Sequence, residues 1–196
     1  MIKWYSKIGN YVFDYLFAGL LILISTILIV PFYGIYVGLI AFFKEDSNYK
    51  TIFKTIKENF KNILLMSVLL TMLLGLVYLT IVIDSSGFSN NFNIVVRYLL
   101  IGIIVYLLIY PPIIIIEMKV SFKELIKNSL YLSLVTFKRT LFMFIITAIL
   151  IWLVTVEPLT ILLFVPFIQT ISYLTNKSME EVKSHKGDDE VWKKLY

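Results

Sequence analysis

The chain has 196 residues, a length that would suit one or two soluble domains. Its composition excludes a soluble domain: 59% of residues are hydrophobic and only 16% are charged, with a mean hydropathy of +0.87. The absence of cysteine excludes disulfides and thiolate metal sites, and the net charge of +5 lies beside apolar runs, where it reads as membrane topology rather than nucleic-acid affinity.

Five stretches carry no Asp, Glu, Lys, Arg or His: 15–43, 62–83, 98–116, 140–156 and 158–176. About 20 apolar residues in a helix cross a hydrocarbon core of about 30 Å. The runs are continuously apolar rather than alternating, so they predict helices and not barrel strands. The expected class is an all-α, polytopic membrane helical bundle of about five transmembrane helices with amphipathic surface helices. The first run is too long for a signal-peptide h-region and no small-residue cleavage site closes it, so a cleavable leader is not expected.

Residues 1–16 read as an interfacial helix. Trp4, Tyr5, Ile8, Tyr11, Val12, Tyr15 and Leu16 share one face, and Lys3, Ser6, Lys7, Asn10 and Asp14 the other. The first span runs from Leu16 to Phe43, with Pro31 placed to kink or break it. Gly34 and Gly38 form a small-xxx-small pair that lets another helix approach, most simply within the chain's own bundle, otherwise across a homo-oligomer contact. Residues 44–61 are basic, yet Ile52, Phe53, Ile56 and Phe60 repeat at helical spacing, which predicts a surface elbow feeding the second span, 62–83.

A short loop, 84–92, leads to the third span, 93–117. Arg97 lies near its start, where snorkelling to the interface is the plain account and a ligand contact the alternative. Pro111 and Pro112 are expected to break or bend the inner half of this span. Residues 117–139 form a second basic elbow, opening with the capping box Ser121–Glu124. The last two spans, 140–156 and 158–176, are separated by Glu157, with Pro158 suited to a helix start. A charged tail, 177–196, follows, with a short helix expected after Asp188.

Lysine and arginine number five in 44–61, five in 117–139 and five after 176, and none in 84–92 or at 157. Basic residues collect on the cytoplasmic side. Both elbows and the C-terminus are therefore expected inside a plasma membrane. A single pass for 16–43 puts the N-terminus outside, which Lys3 and Lys7 oppose; the alternative is a broken hairpin with the N-terminus inside. The twelve residues after Pro31 are too short to span, which favours the single pass. The domain organisation is then one transmembrane domain, 1–176, and a cytoplasmic tail, 177–196. Within it, 47–116 and 121–176 resemble a parallel repeat. Phe60-Lys61 and Phe137-Lys138 open corresponding spans, and Val30-Pro31-Phe32 recurs as Val165-Pro166-Phe167.

No catalytic or nucleotide-binding motif is present, and neither a cofactor nor a metal is expected. His185, alone in the tail, cannot build a metal site by itself. No acid lies mid-span, which removes weight from a proton-coupled carrier. If a solute site exists, the helix breaks at Pro31, Pro111, Pro112 and Pro166 are its natural place, with Arg97, Gln169 and Thr170 as contacts.

The aromatic amphipathic N-terminus carries a family resemblance. So do the long first span with Pro31 and Leu39 before Phe43-Lys44, and the stretch Phe53-Lys54 to Glu58-Asn59-Phe60-Lys61. Together they resemble the YesL-like family of bacterial integral membrane proteins of unknown function. The family form has small residues after the proline, where Phe32 and Tyr33 stand here. Members are often encoded beside carbohydrate ABC importers and glycoside hydrolases. The resemblance therefore implies a non-enzymatic accessory or regulatory role in carbohydrate uptake, with ABC permease subunits as partners besides the lipid bilayer. It carries over no functional residues.

Overall fold

The computed structural model describes residues 2–27, 29–44, 49–85, 91–157 and 163–184. Pro158, His185 and the helix expected after Asp188 lie outside the described residues, as do the side chains of residues 2–8, 10, 11 and 31. Among the described residues there are eight α-helices and no strand. They are α1 (Ile2–Ile27), α2 (Ile29–Lys44), α3 (Tyr49–Glu58), α4 (Phe60–Ser85), α5 (Asn91–Glu117), α6 (Phe122–Val135), α7 (Phe137–Val156) and α8 (Phe164–Ser184).

Residues 16–43 do not form one kinked span. A continuous helix would put Tyr15 and Phe43 about 42 Å apart, yet their ring centroids are 6.1 Å apart. Phe17 meets Tyr49 edge-on at 4.5 Å, and the Tyr49 hydroxyl donates to Asp14. Burial, helped by that bond and by the Asp14 charge, pushes the Tyr49 phenol up to about 12. Helices α1 and α2 are thus an antiparallel hairpin that turns between Ile27 and Ile29. The physical reason is the position of Pro31. It is the third residue of α2, where the missing N–H would have had no partner, so it starts a helix instead of kinking one.

The second hairpin joins α4 to α5. Phe60–Asp84 and Asn91–Glu117 are each long and apolar enough to cross a membrane, with mean hydropathies of 2.5 and 2.7. At its far end Arg97 pairs with Asp84 and donates from Nε to Thr80 Oγ1 at 3.2 Å. In the third unit, α6 and α7 meet at Thr136 with a bend of 104°, and the pair counts as one further candidate span. Among the described residues the helix lengths give two candidate spans, or three if the bent pair is one span. Helix α8 folds back on α7: Arg139 pairs with Glu181 and donates to the Lys177 carbonyl at 3.1 Å. It also continues past Asn176 to Ser184, with Met179 and Val182 buried. The charged tail expected from 177 thus begins as the packed end of this helix.

The second arms of the three hairpins form the interior. Along α2 and α5, Tyr36 faces Leu108 and Lys44 pairs with Glu117, so the two run parallel. Along α2 and α8, the Phe164 ring meets Phe32 and Tyr36, and Ser172 donates to the Ile40 carbonyl at 3.1 Å, so these also run parallel. Helix α2 is apolar on every side, as a helix at the centre must be, and Tyr33, Val37, Leu39, Ile40 and Phe42 are fully buried. Helices α4 and α7 instead leave Met72, Leu76, Phe142 and Ile149 exposed. An apolar outer surface of this extent suits hydrocarbon rather than water.

Gly34 and Gly38 let α3 and the start of α4 lie against α2. A Cβ at Gly38 would stand 2.6 Å from Ile52 Cγ2 and 3.3 Å from the Ile52 backbone; at Gly34 it would be 3.3 Å from Ile63 Cγ2. Gly38→Ala should therefore destabilise the fold by about 1–3 kcal/mol. Gly75→Ala, where no heavy atom lies within 4 Å, should be neutral or stabilise by up to about 1 kcal/mol. Unfolding midpoints in mild detergent measure the difference, and equal effects would contradict the packing described.

Candidate functional site

The prolines singled out in the sequence play two roles. Pro31 and Pro166 are each the third residue of a helix, α2 and α8, and cost no hydrogen bond. Pro111 and Pro112 lie inside α5, which runs unbroken through both. There they remove the N–H groups that would have bonded the carbonyls of Leu107 and Leu108. Two tyrosines of α2 take over. Tyr36 Oη donates to Leu108 O at 2.7 Å, and Tyr33 Oη makes a longer contact of 3.4 Å with Leu107 O. Both phenols and both prolines are buried. The expected helix break is absent because the orphaned acceptors are satisfied from a neighbouring helix.

One turn of α5 serves the other elbow. The Tyr110 hydroxyl lies 2.7 Å from Thr136 Oγ1 and 2.8 Å from Thr140 Oγ1, at the bend between α6 and α7. Thr140 also donates to the Ser133 carbonyl at 2.8 Å, which occupies a backbone group left open by the bend.

The polar residues proposed as solute contacts are not brought together. Arg97 is held by Asp84 and Thr80 at the far end of the α4–α5 hairpin. Gln169 accepts from the Tyr15 hydroxyl of α1. Thr170 is exposed and donates to its own helix, at the Pro166 carbonyl, at 2.8 Å. Each serves the fold at a separate place.

What does converge is a crevice of about 530 Å³ between the two elbows. Glu58, Lys61, Asn62 and Leu65 line it from the α3–α4 side, Lys119 and Phe122 from the α5–α6 side. Asn62 Nδ2 donates to the Val120 carbonyl at 2.9 Å and locks the walls together. Ser121 closes the rim. Its backbone N–H and hydroxyl both reach Glu124 Oε2, at 2.8 and 2.7 Å, and its Oγ accepts from the Glu124 N–H at 3.4 Å. These bonds from the Ser121 side chain and backbone, with the charge of Lys127, hold the Glu124 carboxyl below its usual range. Lys61 and Lys119 are exposed at the mouth, and neither pairs with a described carboxylate.

Sequence reasoning named both elbows but not the crevice between them. The signal was available, since an antiparallel hairpin of 62–83 and 93–117 must bring the flanking lysines, 61 and 119, to one end. Among the described residues no group of three or more acidic or histidine side chains could hold a metal ion. No protein-family model, no curated protein and no solved structure matches the chain.

Tyr36→Phe should cost about 1–3 kcal/mol, because it leaves a buried carbonyl without a donor. Pro112→Ala restores the backbone N–H, so in that background Tyr36→Phe should cost far less. A double-mutant cycle on the unfolding free energy reads this coupling. Additive costs would show that the hydroxyl does not stand in for the missing N–H.

Proposed function

We propose that this chain is a non-enzymatic, multi-pass integral protein of the cell membrane that serves as an accessory or regulatory subunit. The observation that carries this reading is the division of the surface. One end presents two rigid basic elbows, with Lys54, Lys57, Lys123 and Lys127 exposed. The flanks of α4 and α7 present continuous apolar residues. Such a body has a place to lie in lipid and a face with which to meet a partner, and many of its interior hydroxyls are bonded within their own helix or to a neighbouring one.

In the bilayer, α4 and α5 cross as a full hairpin. The α1–α2 hairpin enters from the elbow side and returns to it, because its apolar stretches, Val12–Ile22 and Phe32–Lys44, are short and the arms antiparallel. The third unit, α6 to α8, contributes the bent span and its returning arm. The positive-inside rule then places the N-terminus, both elbows and the end of α8 in the cytoplasm. Lys3 and Lys7 join the other basic residues there, which removes the conflict that a single pass for 16–43 creates.

The resemblance to the YesL-like family supports carbohydrate ABC import as the setting, with the importer's permease subunits as the partner met by the elbows. A small-solute channel or carrier is the second reading, and the structure favours it less. The carbonyls freed by Pro111 and Pro112 already have donors, and the Gln169 amide is bonded to Tyr15.

Purification of the tagged full chain from its native membrane in gentle detergent, followed by mass spectrometry, tests the assignment. ABC permease subunits at near-stoichiometric amounts are expected. Their amount should fall in the double variant Lys54→Glu with Lys57→Glu. Recovery of the chain alone, or only with copies of itself, would overturn the accessory role.

A further inference from the structure

The crevice between the elbows has a continuation along α4. Leu65 lies in the crevice, and Val68, Met72, Gly75 and Leu79 follow it at spacings of three and four residues, which places them on one face. All are exposed. At Gly75 this strip has a shallow, open apolar notch bordered by Met72, Leu76, Tyr78 and Leu79. No heavy atom stands within 4 Å of a Cβ built there, so the surface is free at that point. Ten residues of helix separate Leu65 from Gly75, about 15 Å. That is half of a hydrocarbon core of about 30 Å, the depth of one leaflet.

We infer that this surface binds one anionic phospholipid, with its phosphate between Lys61 and Lys119 and an acyl chain along α4 into the Gly75 notch. The argument rests on the membrane-embedded reading above but not on the importer partnership. Lys61 is the second residue of α4 and Lys119 stands two residues beyond α5, so with this hairpin across the bilayer both ammonium groups come to the level of a headgroup phosphate. The lining itself holds Lys61, Lys119 and Glu58, a net charge of +1, while the Glu124 carboxylate at the rim is taken up by the Ser121 N–H and hydroxyl, which leaves the two ammonium groups to meet a phosphodiester monoanion. A choline headgroup would bring its own cation against the two lysines and cancel that match. Leu65 and Phe122 give the crevice an apolar floor where the glycerol backbone gives way to the chain. The lysines and the notch belong to one path, which a free anion would use only at its mouth.

The full chain, purified in mild detergent, is titrated with phosphatidylglycerol, with phosphatidylcholine of the same chains, and with inorganic phosphate, reading the unfolding midpoint. Phosphatidylglycerol should protect at concentrations at least about tenfold lower than phosphatidylcholine, and phosphate should not protect. The double variant Lys61→Gln with Lys119→Gln should lose the preference. Lys54→Gln with Lys57→Gln, equally charged but outside the crevice, should keep it. Gly75→Phe, which fills the notch, should weaken protection by phosphatidylglycerol while leaving the unliganded midpoint unchanged. Equal protection by the two lipids, a preference that survives loss of Lys61 and Lys119, or protection by phosphate alone would each overturn the inference. Failure of the membrane reading itself shows separately, as recovery of the chain in the soluble fraction of lysed cells.

Discussion

Two carbonyls in the middle of the protein need donors that their own helix cannot supply. Pro111 and Pro112 take away the N–H groups due to Leu107 and Leu108, in surroundings too apolar for water to substitute. The Tyr36 hydroxyl answers one at 2.7 Å and that of Tyr33 approaches the other at 3.4 Å. Helix α2 has to lie alongside α5, in the same direction, for those hydroxyls to arrive. The chain before it folds back along α2, where Tyr15 meets Phe43, Phe17 meets Tyr49 and the Tyr49 hydroxyl donates to Asp14.

The remaining contacts extend that arrangement toward one end. Lys44 reaches Glu117 where α2 and α5 finish together, and Asn62 ties the start of α4 to the strand-free link after α5. Tyr110, next to the prolines, holds the bend at Thr136 from which α7 departs. Helix α2 thus carries the first elbow, through Ile52 at Gly38, and α5 the second, through Tyr110 at Thr136; α5 is also far more buried than α4. The basic side chains collect at the elbow end, the apolar ones cover the flanks, and the proposed roles in docking and lipid binding follow from that separation.

Much of this was legible in the sequence. Charge-free runs marked α4 and α5 closely, and the apolar repeat in 52–60 and the Ser121–Glu124 box marked the elbows. The run 15–43 misled because hydrophobicity is the same on both sides of a turn: a hairpin inside apolar surroundings needs no polar residue to announce it. Pro31 was ambiguous for a related reason, since a proline fits the first turn of a new helix as well as the kink of an old one. Pro111 and Pro112 predicted a break or bend, and α5 runs unbroken because the donors for its freed carbonyls lie some seventy residues away, in Tyr33 and Tyr36. Arg97 and Gln169 looked available because their partners, Asp84 and Tyr15, are joined to them only by the fold. The crevice is likewise a property of hairpin closure.

The return of α1 along α2 is the central claim, and it fixes the side on which the N-terminus lies. The chain has no cysteine, so single cysteines can be placed without background. Gly9, Asn91 and Lys119 are exposed at informative positions. Each is replaced by cysteine in turn and labelled with a membrane-impermeant maleimide in intact cells and in inverted vesicles. Gly9→Cys and Lys119→Cys should label from the same side, and Asn91→Cys from the opposite one. Labelling of Gly9→Cys on the side of Asn91→Cys would mean that residues 16–43 cross the membrane once, and that α1 does not fold back on α2 as described.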